Sequence, residues 1–98
     1  MKDKDFIVRY PSLSSALYGE FHDNFDATDD ESARRLFELV SRTSPASIPA
    51  MIAELNAAIA AIDDIWEAVG RASNSTFTDS REARSFLEGI LKIWSGRS

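Results

Sequence analysis

Apolar residues recur along the chain at three- and four-residue intervals, the spacing of one helical face. Apart from a weak run at Phe6 to Val8, no stretch alternates apolar with polar as a half-buried strand does. Leu13, Leu17 and Phe21 stand at i, i+4 and i+8, which predicts a first helix after an entry segment ending in Tyr10-Pro11. That helix starts at Ser12 or Ser14 and runs to about Asp23. Thr28-Asp29-Asp30-Glu31 has the form of a capping box and puts three acids on the positive end of a helix dipole. A second helix follows from it, with Ala33, Leu36, Phe37 and Val40 on one face. A third begins between Ser44 and Ser47, where Pro45 or Pro49 fits the first turn, and carries Met51, Ile52, Leu55, Ile59 and Ile62. The pattern continues through Ile65, Trp66 and Val69 and stops at Gly70 or shortly after. Asp63-Asp64 is compatible either with a break in this helix or with acids decorating it. Asn74 to Thr78 has loop composition, and Asp79-Ser80-Arg81-Glu82 offers an N-cap and a third-position glutamate to a last helix carrying Phe86, Leu87, Ile90, Leu91 and Trp94.

Short connections between amphipathic helices favour antiparallel neighbours around one core. The expectation is an all-α, single compact domain of four to five helices over residues 1–98. The 98 residues suit one domain, and 44% hydrophobic with 28% charged is an ordinary globular balance. No internal repeat or low-complexity tract interrupts it.

Composition removes several chemistries. Without cysteine there is no disulfide framework, thiol nucleophile or thiolate metal site. The four glycines are isolated, so no phosphate-cradling loop is present. With His22 as the lone histidine, no supported nucleophile constellation can be drawn. His22, Asp23 and Asp26 suggest a metal set, but the chain has no His-x3-His pair and no Asp-x-Asp-x-Asp-Gly loop. A non-enzymatic protein without metal or cofactor is expected. Lys2 and Lys4 are not followed by an apolar run of signal-peptide length, and Ile48 to Ile65 is broken by Pro49, Glu54, Asn56, Asp63 and Asp64. Those features predict a cytoplasmic protein without a membrane span.

The formal net charge is −5, and its placement matters more than its size. Between Tyr10 and Ala33 lie six acids (Glu20, Asp23, Asp26, Asp29, Asp30, Glu31) and no Lys or Arg, whereas the other residues hold 10 acids and 11 bases. Phosphate backbones repel such a surface, which argues against direct nucleic-acid binding. A basic protein partner is the complementary choice.

The stretch Tyr10-Pro11-Ser12-Leu13-Ser14-Ser15-Ala16-Leu17-Tyr18-Gly19-Glu20-Phe21-His22-Asp23-Asn24-Phe25 resembles the opening signature of a family of contact-dependent growth inhibition immunity proteins. That signature is an aromatic-Pro-x-Leu entry, a Leu-rich turn and an aromatic-His-x-Asp-aromatic exit. The resemblance extends to the acidic helix start at Asp29 to Glu31, to Ala53-Glu54-Leu55-Asn56, and to a closing helix near Arg81-Glu82. Glu20 and Phe25 stand where the family has an aromatic and a tryptophan, and Ala16 and Asn24 where it has a larger apolar residue and an aspartate. The resemblance implies a cytoplasmic protein that binds the cognate toxin domain at the C-terminus of a surface-delivered effector and keeps it inactive. Such toxins are often nucleases, whose cationic, phosphate-binding surface an acidic helical inhibitor can cover.

The partner-facing candidates are Tyr18, Glu20, His22, Asp23, Asp26, Asp29 and Asp30. Capping alone accounts for acids at the start of the second helix, and His22 sits well at the negative end of the first. Glu20 differs, because at 100° per residue it falls among Leu13, Ala16, Leu17 and Phe21 and interrupts their stripe. Tyr18, Trp66, Phe77 and Trp94 are candidate aromatic anchors, although for Trp66 and Trp94 a place in the core is the favoured reading. The competing reading is a helical adaptor that docks a partner's helix in an apolar groove.

Overall fold

The structure, a computed structural model, describes residues 2–21 and 29–96. Its first element falls in the entry segment, where the spacing predicts none. Helix α1 (Asp3–Arg9) has Asp3 and Asp5 in its first turn and Arg9 in its last, charges that complement the helix dipole. Phe6 is fully buried and its ring lies 5.5 Å from that of Tyr10, while Ile7 and Val8 face outward. The alternating look of Phe6 to Val8 thus comes from a short helix with one inward side chain, not from a strand. Tyr10 ends α1 because a residue before proline is driven out of the α region, here to φ −128° and ψ 63°. Pro11 then opens α2 (Pro11–Ala16) at a position where its missing N–H costs nothing.

From Leu17 to Phe21 the chain makes a π-helical turn. The first predicted helix therefore starts slightly earlier than expected and changes register after Ala16. Helix α3 (Asp29–Thr43) follows; Thr28, the expected cap, lies outside the described residues. Both prolines of the next connection stand at element starts, Pro45 in a 3-10 turn (Pro45–Ser47) and Pro49 in the first turn of α4 (Ile48–Ala60). The long apolar pattern breaks at Ala61 (φ −105°, ψ 19°), so Asp63 and Asp64 lie in the first turn of α5 (Ile62–Ser73), on its positive dipole end. With α1 and this break, the described residues form six α-helices where four to five are predicted.

Helix α5 ends shortly after Gly70, within the expected range. It runs to Ser73 and closes with Asn74 in the left-handed region (φ 55°), the Ser75 N–H donating to Gly70 O at 2.8 Å and the Asn74 N–H to Arg71 O at 3.3 Å. This is a Schellman closure with asparagine in the position glycine usually fills. Gly70 serves packing instead: a Cβ there would meet Ser75 O at 3.1 Å and the Phe77 ring at 3.3 Å.

Helix α6 (Ser80–Trp94) starts as its sequence predicts, with Asp79 Oδ1 accepting from the Glu82 N–H at 3.1 Å. Glu82 reaches back to the Thr78 N–H (2.6 Å) and hydroxyl, and these bonds hold its carboxyl below the usual carboxylate range. Leu87 and Ile90 of α6 join Phe6, Leu13, Leu17, Leu55, Ile62 and Ile65 in one buried cluster, with α3, α4 and α5 packed around α6. The radius of gyration, 12.2 Å, is that of a compact domain of about 100 residues.

Candidate functional site

Two walls of unequal bulk face each other across a groove of about 350 Å³. One wall is α2 and the π turn, presenting Ser12, Ser15, Ala16 and Gly19, which recur at i, i+3, i+4 and i+7. The other is α3, presenting Leu36, Leu39 and Val40. Met51 and Trp94, buried to 2% and 3% exposure, form the base, and Ser47 stands at the edge. Leu39 is 50% exposed on the rim, an apolar side chain among the polar and charged exposed residues of α3. Trp94 is braced from α3 by Phe37, edge-on with ring centroids 5.3 Å apart, so the base is rigid. The Trp94 Nε1–H is buried and has no hydrogen-bond partner among the described residues.

Helix α2 is too short to hold its own position by propensity, since isolated helices of this length are unstable in water. A residue far along the chain fixes it. Glu54 of α4 accepts a hydrogen bond from the Leu13 N–H at 3.0 Å and so caps α2 across the domain. Tyr10, at the α2 N-cap, supplies no side-chain acceptor, which leaves that work to Glu54. Leu13 and Leu17 on the inner side of the wall are fully buried, and the Ser14 hydroxyl donates to Pro11 O at 3.2 Å.

Among the sequence-derived candidates, Tyr18 is on the surface at 36% exposure. Glu20 stands in the π turn immediately after the groove residue Gly19, and Asp29 and Asp30 open α3. His22, Asp23 and Asp26 lie outside the described residues. The 100° projection that set Glu20 inside the apolar stripe holds only to Leu17, because the i→i+5 bonding of a π turn spaces residues differently around the axis. Of the aromatic anchors, Trp94 belongs to the core, Trp66 is half-buried, and Phe77 packs on Phe86 at 5.6 Å.

The adaptor reading expects an apolar groove, but the sequence analysis does not single out the residues that line this one. Its signals were present, a row of small residues at helical spacing from Ser12 to Gly19 and an isolated Leu39 among charged neighbours. Glu54 had no local signal at all, because its partner is 41 residues away. Among the described residues no group of three potential metal ligands converges, and no helix is long and apolar enough to cross a membrane. No family model matches the chain, and no curated protein or solved structure matches it.

Proposed function

We propose that the protein is an immunity protein, which binds the C-terminal toxin domain of a cognate contact-dependent growth inhibition effector in the cytoplasm and neutralises it by stoichiometric occlusion. The observation that carries this reading is the run of six acids without a base between Tyr10 and Ala33. A nuclease toxin must present cations to phosphate, and a concentrated acidic surface draws such a partner in by long-range attraction. Once docked, the same surface excludes the anionic substrate, so inhibition needs no turnover and no cofactor. The resemblance of Tyr10 to Phe25 to the immunity signature points the same way. The test is pull-down and calorimetry against the toxin domain encoded immediately upstream, with growth of toxin-expressing cells as the second readout. One-to-one binding with protection is expected; absence of either would refute the reading.

The groove favours a second reading, a helical adaptor that docks a partner's helix. It requires a neighbouring gene that encodes no toxin, and a helical partner that binds without any effect on toxicity.

A further inference from the structure

We infer that the hollow at the C-terminal end of α5 is a docking pocket for an arginine side chain of the partner protein, which stacks on Trp66 or Phe77 and pairs with Glu67. This deepens the immunity reading and rests on its claim that the partner is basic.

The hollow holds about 440 Å³, and Trp66, Glu67, Gly70 and Arg71 of α5 line it together with Phe77 of the following loop. Trp66, Glu67 and Gly70 fall within about 100° of one another around α5, so the indole and the carboxylate open on the same side. Gly70 is what admits Phe77, whose ring lies 3.3 Å from where a Cβ would stand. Phe86 of α6 holds that ring from elsewhere, with centroids 5.6 Å apart. Trp66 and Phe77 are each only half-buried, so part of each ring stays at the surface. A hollow of this size is at the small end of ligand sites and suits one anchor side chain, the kind of contact that dominates protein interfaces.

Charge decides which side chain enters. The two charged residues that line the hollow have opposite signs, Glu67 and Arg71. Arg71 is already engaged, because its Nε donates to Asp3 Oδ1 at 2.6 Å and ties α5 to α1. Glu67 is exposed and makes no ion pair among the described residues. Asp63, one turn earlier on the same side of α5, is exposed and likewise makes none. The hollow also lies at the last turn of α5, where the helix dipole is negative. Lys2, Lys4 and Arg9 of α1 do not line it. The charge left without a counterpart is therefore negative, and it stands beside two aromatic rings. A guanidinium satisfies both features at once, since its flat face stacks on a ring while its N–H groups donate to a carboxylate. An anion entering the hollow would meet Glu67 while Arg71 is held by Asp3.

The probe is a capped Gly-Arg-Gly peptide titrated into the full chain and followed by NMR, with the citrulline analogue, equal in shape but uncharged, as control. The arginine peptide is expected to shift the Trp66 indole N–H and the Phe77 amide saturably while the indole of Trp94, 3% exposed, stays in place. The citrulline peptide is expected to move neither. Glu67→Gln and Trp66→Leu, the latter followed at Phe77, are each expected to weaken binding at least about threefold. Arg71→Gln is expected not to weaken it; circular dichroism checks that each variant folds. No saturable shift, an equal response to citrulline, or equal binding by folded Glu67→Gln would overturn the inference. Inorganic phosphate shifting the same residues, with loss of that shift in Arg71→Gln, would overturn it in favour of an anion site. The peptide carries no toxin sequence, so the two claims fail separately. Arginine binding without binding of the upstream toxin domain removes the immunity reading and keeps the pocket, whereas toxin binding that ignores Glu67→Gln and Trp66→Leu does the reverse.

Discussion

Replacing Glu54 by alanine takes away the acceptor that caps α2 from across the domain. The Leu13 N–H donates to Glu54 Oε1 at 3.0 Å, Leu13 is fully buried, and the Tyr10 cap offers no substitute. A hydrogen bond to a charged group contributes about 1.5–3 kcal/mol, and a buried N–H left without a partner costs about 1–3 kcal/mol. Glu54 is itself only half-buried, so water can relieve part of that cost. The expected loss is about 2 kcal/mol, which in a domain of this size lowers the melting temperature by roughly 8–16 °C. Glu54→Gln keeps a neutral acceptor of about half the strength and is expected to lose about 1 kcal/mol. Urea unfolding followed by circular dichroism separates the cases, because a pure loss of stability moves the midpoint and leaves the slope unchanged. An alanine variant within about 0.5 kcal/mol of the parent, the range of ordinary surface substitutions, would refute the capping argument.

Three further outcomes are expected. Gly70→Ala gains up to about 1 kcal/mol of helix propensity but sets a methyl 3.1 Å from the Ser75 carbonyl, which the Schellman closure holds in place; with overpacking at about 1–3 kcal/mol, a net loss near 1 kcal/mol is expected, and a rise in melting temperature would contradict it. Glu82 has its carboxyl lowered by the Thr78 hydroxyl and N–H, so its stabilisation is present above the ordinary glutamate range and is lost as pH falls through the lowered value; Glu82→Gln should flatten that acid limb, and identical pH–stability curves would count against it. Combining Glu20→Ala with charge reversal at Asp23 and Asp26 should slow association with the toxin domain and reduce its salt sensitivity while helicity stays intact, and unchanged kinetics in stopped flow would take these acids out of the interface.

The elements most legible in the sequence are those whose signals are local. Helix α6 carries its cap at Asp79, its reciprocal glutamate at Glu82 and a regular apolar face, and α4 is marked by Pro49 and the run from Met51 to Leu55. Helix α1 is hidden because seven residues with one buried side chain leave no period to detect. The break at Ala61 has neither Gly nor Pro, and its one trace is the pair Asp63-Asp64, which suits a first turn as well as an exposed helical surface. The π turn escapes any projection that assumes α geometry, so a spacing of 100° per residue does not describe the backbone from Leu17 to Phe21. The groove lies between chain segments distant in sequence, and its α2 wall depends on Glu54, 41 residues away from the backbone it caps. Charge, by contrast, needs no fold to be seen: the acids from Glu20 to Glu31 were evident from the order of residues alone.

The most direct test of the central claim is the association rate of the full chain with the upstream toxin domain, measured by stopped flow over a series of salt concentrations. The account predicts one-to-one binding whose association rate falls steeply as salt rises, because attraction between the acidic connection and a basic partner steers the encounter. Absence of binding, or an association rate indifferent to salt, would contradict it.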